Sequence, residues 1–143
     1  MADQPAQGYT IDRLAVGMSA TYERVVTTAD IEAFAAVSGD HNPVHLDEEY
    51  AKTTRFKGRI AHGLLGASFI STVLASQLPG PGTVYLAQSL AFKAPVRPGE
   101  KLVARVTVTE LRPEKKQAVL KTECRVGDTL VIDGEATVLV PQA

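Results

Sequence analysis

The chain has 143 residues and a formal net charge of −1 at pH 7. This length is enough for one domain with its own core, and the near-zero charge does not indicate a nucleic-acid-binding or membrane-surface protein. The single cysteine, Cys124, excludes an intrachain disulfide framework and fits a reducing compartment, so we expect a cytoplasmic protein. Cys124 lies in an alternating apolar pattern and is predicted to pack inside a strand.

Two segments bear on whether the chain is exported or inserted in a membrane. Residues 1–8 are polar and lack the apolar region of a signal peptide. Residues 60–78 carry no charged side chain but contain several hydroxyl side chains, and they are too polar for a membrane-spanning helix. We therefore expect a helix buried on most sides within a globular fold. Residues 1–10 are predicted to form a flexible N-terminal arm, and residues 11–143 a single domain.

The hydrophobic pattern predicts one antiparallel sheet and one long helix. In chain order it predicts a strand over 18–26, a helix capped by Thr28 and stopped by Gly39, a short helix over 48–52 and a long helix from Gly63 to the breaker run at 79–82. Four further strands are predicted over 84–92, 102–109, 117–126 and 130–138. The predicted fold class is a two-layer α+β domain, with the sheet curled around the long helix. The edges of such a sheet are open, which favours pairing with a second copy.

Residues 38–47, with the sequence SGDHNPVHLD, are the most informative segment. They place a carboxylate, Asp40, and an imidazole, His45, on either side of a rigid Asn-Pro step. A pair held at a fixed separation could transfer protons to and from one water molecule. The alternative interpretation is that Asp40 caps a turn and His45 satisfies a buried carbonyl. The residues alone leave these two interpretations about equally favoured.

The glycine of the later IAHGLL segment, Gly63, lies in the predicted first turn of the long helix. A residue without a side chain there lets a substrate oxygen approach an unpaired backbone N–H, which the helix dipole makes more favourable for negative charge. Such a donor stabilises an enolate oxygen. The alternative is that Gly63 permits tight helix packing. The neighbouring His62 is expected to pack or to orient other groups, and His41 to face solvent.

Together, GDHNPVH at 39–45 and IAHGLL at 60–65 resemble the MaoC-like, (R)-specific enoyl-CoA hydratase family, and the similarity covers about residues 14–141. The resemblance implies the hot-dog fold and a hydro-lyase that adds water to a trans-2-enoyl thioester, giving the (R)-3-hydroxyacyl thioester. It maps the catalytic aspartate and histidine to Asp40 and His45, and the oxyanion donor to Gly63. It implies an acyl-CoA substrate, no metal or separate cofactor, and a homodimer or higher oligomer with sites at the interface. The products would feed β-oxidation or polyhydroxyalkanoate synthesis.

Five further residues are predicted to contact substrate or support the site. Asn42 could orient the Asp40/His45 pair, and Leu65 could line an acyl tunnel. Ser71 follows Gly63 by eight residues, on the same side of a helix. The basic loop at 52–59, with Arg55 and Lys57, could bind the phosphates of coenzyme A or an acidic carrier protein. For Leu65, Ser71 and the basic loop, core packing or ordinary solvated surface is the alternative.

Other activities remain open from the sequence. The first alternative is dehydration of a 3-hydroxyacyl carrier protein, the same chemistry run in reverse on another carrier. A hot-dog thioesterase and a non-enzymatic acyl-CoA-binding module are less favoured, because both Asp40 and His45 are present. The sequence indicates no convincing metal-binding partner for these two residues further along the chain. No nucleic acid or membrane partner is expected.

Overall fold

The computed structural model of the protein describes residues 7–142. Its strands form one antiparallel sheet in the order β1-β3-β4-β5-β2. The strands are β1 Ser19–Val25, β2 Val84–Phe92, β3 Lys101–Arg112, β4 Gln117–Val126 and β5 Thr129–Leu139. Each predicted strand is present. β3 extends three residues beyond its prediction, because a bulge between Val108 and Glu110 interrupts the alternation before Leu111 pairs with Ala118.

The strand β2 lies at the edge of the sheet. It pairs with β5, the last strand, and not with β3, which follows it in the chain. Hairpins connect β3 to β4 and β4 to β5, whereas residues 93–100 carry the chain from β2 across to β3. The order of the strands in the sheet therefore differs from their order in the sequence, and one side of β2 has no strand partner within residues 7–142.

Four helices accompany the sheet: α1 Thr28–Ser38, α2 Pro43–Leu46, α3 Glu48–Lys52 and α4 Gly63–Ser76. The cap of α1 is Thr27, one residue before the predicted cap, because Thr27 and Asp30 form a reciprocal capping box. Gly39 ends α1 in the left-handed conformation at φ 80°, as predicted.

The helix α2 lies in a segment for which the sequence pattern predicts no helix. Proline is well suited to the first turn of a helix, and the side chain of Asn42 accepts a hydrogen bond from Val44 N at 3.1 Å. The Asn-Pro step thus starts a new helical turn after the break at Gly39. This turn carries His45 into the interior of the protein.

The core lies between α4 and the concave face of the sheet. Ile70, Val73 and Leu74 of α4 are buried against this face. Gly66 permits the close approach, because a Cβ there would come within 3.1 Å of side-chain atoms of Ile132 and Leu102. The expectation that α4 is buried on most sides was only partly met, since its opposite face carries exposed side chains such as Leu64.

The N-terminal arm predicted over residues 1–10 needs correction. Residues 1–6 lie outside the described residues. Gly8 N donates to Pro81 O at 3.1 Å and Tyr9 N donates to Pro79 O at 2.7 Å, so the ordered domain begins before residue 11.

Within residues 7–142, no helix is long and apolar enough to cross a membrane.

Candidate active site

A cavity of about 450 Å³ opens beside the N-terminus of α4. Asp40 and His45 reach it from the α1–α3 region, and Phe92 and Lys93 from the end of β2. Its apolar wall includes Val26, Phe56, Ile60, Val96, Leu102, Val131 and Ile132. Residues far apart in the sequence therefore meet around one space large enough for part of a small-molecule substrate.

His45 is held in one tautomer. Its side chain is buried, and Nδ1 lies 2.8 Å from Ile60 O. A carbonyl oxygen only accepts, so Nδ1 carries the proton and Nε2 is the unprotonated nitrogen. Nε2 has no hydrogen-bond partner within residues 7–142 and is not fully buried. It is therefore accessible from the cavity. His45 thus satisfies a buried carbonyl and still offers a free basic nitrogen.

Burial lowers the pKa of His45 below its usual value, and the hydrogen bond to Ile60 O partly opposes this effect. The nearby Asp40 charge also opposes it, while His62 adds to the lowering. The neutral, proton-accepting form of His45 is therefore favoured at neutral pH.

The carboxylate of Asp40 is exposed at the cavity. Oδ1 accepts a hydrogen bond from Asn42 N at 3.1 Å, so Asp40 does close a turn, and the second oxygen has no partner among residues 7–142. Asp40, His45 and His62 each place a potential ligand atom within 4.8 Å of the others. One water molecule can bridge two groups at such a distance.

His62 is the third member of this cluster. Its ring stacks on that of His45, with centroids 3.9 Å apart and planes at 28°. The sequence offered no convincing further ligand beyond the Asp40/His45 segment, so His62 corrects that expectation. However, His45 Nδ1 and His62 Nε2 each bind a backbone carbonyl, and the remaining nitrogen of His62, Nδ1, is buried. This arrangement suits a metal ion poorly.

Gly63 begins α4, and its N–H donates to no acceptor within residues 7–142. Gly63 lines the cavity, and an unpaired N–H at such a position is what an oxyanion site requires. A Cβ built on Gly63 would lie 2.7 Å from two ring carbons of Phe92. Glycine therefore also permits the contact between α4 and β2, and both interpretations of this residue agree with the geometry.

Four of the five predicted substrate contacts do not line this cavity: Asn42, Leu65, Ser71 and, from the basic loop, Lys57. Asn42 is used as the cap of α2. Leu65 belongs to the buried core, because two residues after Gly63 the helix has turned to its other side. Ser71 lines a separate surface groove with Leu64, Tyr85 and neighbouring residues. Eight residues advance a helix by about 12 Å, which takes Ser71 away from the N-terminus of α4.

The basic side chains of the loop at 52–59 do not all line the cavity. Arg55 lines the cavity and lies over the ring of Phe56 at 5.1 Å, whereas Lys57 is exposed outside it at φ 63°. Lys93, which follows β2 and lies outside this loop, also lines the cavity. Arg97 instead donates to the carbonyl oxygens of the loop and so holds it in place. No sequence signal indicated the aromatic lining residues Phe56 and Phe92, because they come from distant segments.

A curled antiparallel sheet packed on one helix, with an Asp/His pair beside the helix N-terminus, defines an enzyme of the hot-dog class. Residues 14–130 match the family model described as "MaoC like domain", and the chain belongs to this family. As the sequence predicted, it is a hydro-lyase of hot-dog fold.

Three comparisons give the details. The chain is 55% identical over 125 residues to an (R)-specific enoyl-CoA hydratase from Rhodospirillum rubrum, covering 87% of each chain. It is 48% identical over 129 residues to a 3-hydroxybutyryl-CoA dehydratase from Methylorubrum extorquens, covering 90% of this chain and 82% of the relative. It superposes on the structure of an R-hydratase from Pseudomonas aeruginosa with a TM-score of 0.90 and 44% identity, covering 96% and 88% of the two chains.

Proposed function

We propose that this protein catalyses the reversible hydration of trans-2-enoyl-CoA to (R)-3-hydroxyacyl-CoA. The observation that carries the proposal is the meeting of the Asp40 carboxylate, the free Nε2 of His45 and the unpaired N–H of Gly63 at one cavity. The names of the relatives from Rhodospirillum rubrum and Methylorubrum extorquens supply the substrate class and the stereochemistry.

In this mechanism Asp40 and His45 hold one water molecule. As the water oxygen bonds to C3 of the enoyl group, one of the two bases takes a proton from it. Electron density moves to the thioester oxygen, where the N–H of Gly63 and the α4 dipole stabilise the enolate. The protonated base then delivers the proton to C2, so that one water has been added. Dehydration follows the same steps in reverse.

The test follows the absorbance of the conjugated thioester with crotonyl-CoA. The parent should consume the substrate, and Asp40→Asn should be slower by roughly a hundredfold or more. Asp47→Asn is a matched control, because Asp47 caps α3 through Tyr50 N, lies outside the cavity, and asparagine can cap equally well. Equal rates for the parent and Asp40→Asn would contradict the mechanism. Chiral analysis of the product tests the (R) configuration.

We further propose that Arg55 contacts the phosphates of coenzyme A at the mouth of the cavity. Arg55 and Lys93 are exposed cations that line the cavity, whereas Lys57 of the same loop does not line it. Arg55→Glu should therefore raise the KM for CoA substrates, and Lys57→Glu should leave it nearly unchanged. A raised KM for carrier-protein substrates alone would instead favour the carrier as the natural partner.

We propose that the active form is a homodimer formed through β2. The outer edge of β2 has no strand partner within residues 7–142, and its side chains Val84, Tyr85, Leu86 and Phe92 are exposed. Pairing with a second copy would cover both features. Sedimentation should give about twice 15.2 kDa. Leu86→Lys should weaken the dimer, and Val16→Lys, an exposed site before β1, should not.

We propose that the reaction needs no metal ion. Two bases and a backbone donor suffice for the proton transfers, and the free nitrogen of His62, Nδ1, is buried. Activity should survive prolonged treatment with a chelator. Loss of activity that returns on adding one particular divalent cation would contradict this. We also propose a cytoplasmic location, on the ground that the single Cys124 fits a reducing compartment.

A further inference from the structure

His62 occupies the N-cap position of α4 without capping the helix. Its backbone has the extended conformation of a cap, but its side chain makes no capping hydrogen bond. The imidazole turns instead toward the end of α1, where Nε2 donates to the backbone carbonyl of Asp40 at 2.9 Å. The side chain is only 3% exposed. The proposed reaction assigns this buried ring no step.

Within residues 7–142, this hydrogen bond is the one that joins Asp40 to a residue distant in the sequence. The other hydrogen bonds of Asp40 within residues 7–142 join it to Ser38 and Asn42, each two positions away. His62 is 22 positions away and belongs to the segment that starts α4. The bond therefore fixes the loop that carries the carboxylate relative to the helix that carries the oxyanion donor, Gly63.

The same ring also contacts the second base. It stacks on His45 at 3.9 Å, and His45 is itself fixed through Nδ1 to Ile60 O at 2.8 Å. The ring of Phe34 approaches His62 as well, at 4.8 Å. His62 is thus in contact with both halves of the Asp40/His45 pair, through a hydrogen bond to one and a ring face to the other.

The remaining nitrogen argues against a purely packing role. Nε2 carries the proton, because the Asp40 carbonyl can only accept, so Nδ1 is an acceptor. Nδ1 is buried and has no partner within residues 7–142. An unpaired buried polar atom costs stability that an apolar ring of similar size would avoid. A histidine here is therefore explained by the contact that it makes through Nε2.

We propose that His62 is a positioning residue that sets the separation of the Asp40 carboxylate and the His45 imidazole, so that both reach the same water molecule. It takes no proton from the substrate or the water. This inference rests on the proposed hydratase function. It adds a residue on which the geometry of the pair depends.

Two substitutions separate the hydrogen bond from the ring. His62→Gln keeps an N–H donor at a similar reach but loses the ring, whereas His62→Phe keeps a stacked ring and loses the donor. We expect His62→Phe to lower kcat by about 10–100-fold, as a small misplacement of catalytic groups does, with KM for crotonyl-CoA changed less than about threefold. His62→Gln should recover most of the lost kcat. His41→Phe is the matched control, since His41 is exposed on the loop that carries Asp40 and lies outside the cavity.

The outcomes distinguish the alternatives. A parent-like kcat in His62→Phe would overturn the proposal. Equal inactivity of His62→Gln and His62→Phe, with parent-like melting temperatures, would also overturn it, because the imidazole would then be needed for proton transfer itself. The hydratase function is judged separately, by turnover of the parent and its loss in Asp40→Asn. Nitrogen-15 NMR of the parent tests the contact without substrate or variants. It should find the proton of His62 on Nε2 and that of His45 on Nδ1, and a Nδ1 proton on His62 would overturn the inference.

Discussion

The guanidinium of Arg59 donates through Nε to the backbone carbonyl of His45 at 2.7 Å. The backbone N–H of Arg59 in turn donates to the carboxylate of Glu48 at 3.2 Å. Arg59 therefore connects α2, which carries His45, to the start of α3 and to the segment leading into α4. Its Nη2 atom is buried without a partner in residues 7–142. A basic side chain from the loop at 52–59 thus supports the fold of the site from within.

Arg59→Met should lower the free energy of unfolding by about 1–3 kcal/mol, because the His45 carbonyl loses a charge-assisted hydrogen bond. Urea denaturation measures this directly. Arg55→Met is the matched control. Because Arg55 is exposed, this substitution should change the free energy of unfolding by no more than about 0.5 kcal/mol. Equal stability of the two variants would show that the Arg59 bond contributes nothing.

The contact between Gly63 and Phe92 leads to a second prediction. In Gly63→Ala the new methyl group meets the ring at 2.7 Å, so the ring must move, and Phe92 lines the cavity beside the Gly63 N–H. We expect kcat with crotonyl-CoA to fall by about tenfold or more, through misalignment of the oxyanion donor. Steady-state kinetics measure it.

The double variant Gly63→Ala/Phe92→Ala identifies the cause of that loss. Removing the ring leaves space for the methyl group, and Phe92 is 52% exposed, so the change should not disturb the core. Recovery of kcat relative to Gly63→Ala would show that the ring causes the loss. No recovery would place the cause in the methyl group itself, which would then block the approach of the substrate oxygen.

Cys124 gives a prediction from burial. The thiol is fully buried in β4, as the alternating pattern predicted, and burial raises its pKa to about 12. The native protein should therefore resist alkylation by iodoacetamide at neutral pH, and the unfolded chain should react quickly. Mass spectrometry of the modified protein measures both rates. Rapid native labelling with loss of activity would contradict the buried position.

The local pattern of the sequence predicted most of the fold. The period of two predicted the strands, and Gly63 and the proline-glycine run bounded α4, because these signals act between neighbours in the chain. The helical turn at Pro43–Leu46 was missed, since Asn42 was interpreted as support for the catalytic pair and not as a helix cap. The position of β2 beside β5 was also missed, because pairing between distant strands leaves no local signal.

The sequence predicted the cavity residues that its two motifs contain, but not those that three-dimensional packing brings to the cavity. Asp40, His45 and Gly63 do meet at one cavity. Ser71 was placed there from helical periodicity alone, which describes direction around a helix but not distance along it. The stacking of His62 on His45 joins segments 17 positions apart in the sequence, and only the folded chain brings them together.

The lowered pKa of His45 predicts how activity depends on pH. The neutral ring is the form that accepts a proton, and burial keeps its pKa below the ordinary value of 6.5. In the direction of hydration, kcat/KM should therefore be level near neutral pH and fall only below pH 6.5, where His45 becomes protonated. A midpoint above 6.5 would contradict the dominance of burial.

The same shift predicts the pH dependence of stability. Above pH 6.5 the ring is neutral in both the folded and the unfolded chain, and its contribution to stability is complete. As the pH falls below 6.5, the unfolded chain binds the proton first, so the free energy of unfolding decreases until the folded-state pKa is reached. Urea denaturation of the parent and His45→Gln across this window isolates the effect, because the other titrating groups are common to both proteins. The difference in free energy of unfolding between the parent and His45→Gln should shrink as the pH falls below 6.5. A constant difference would show that burial does not lower the pKa of His45.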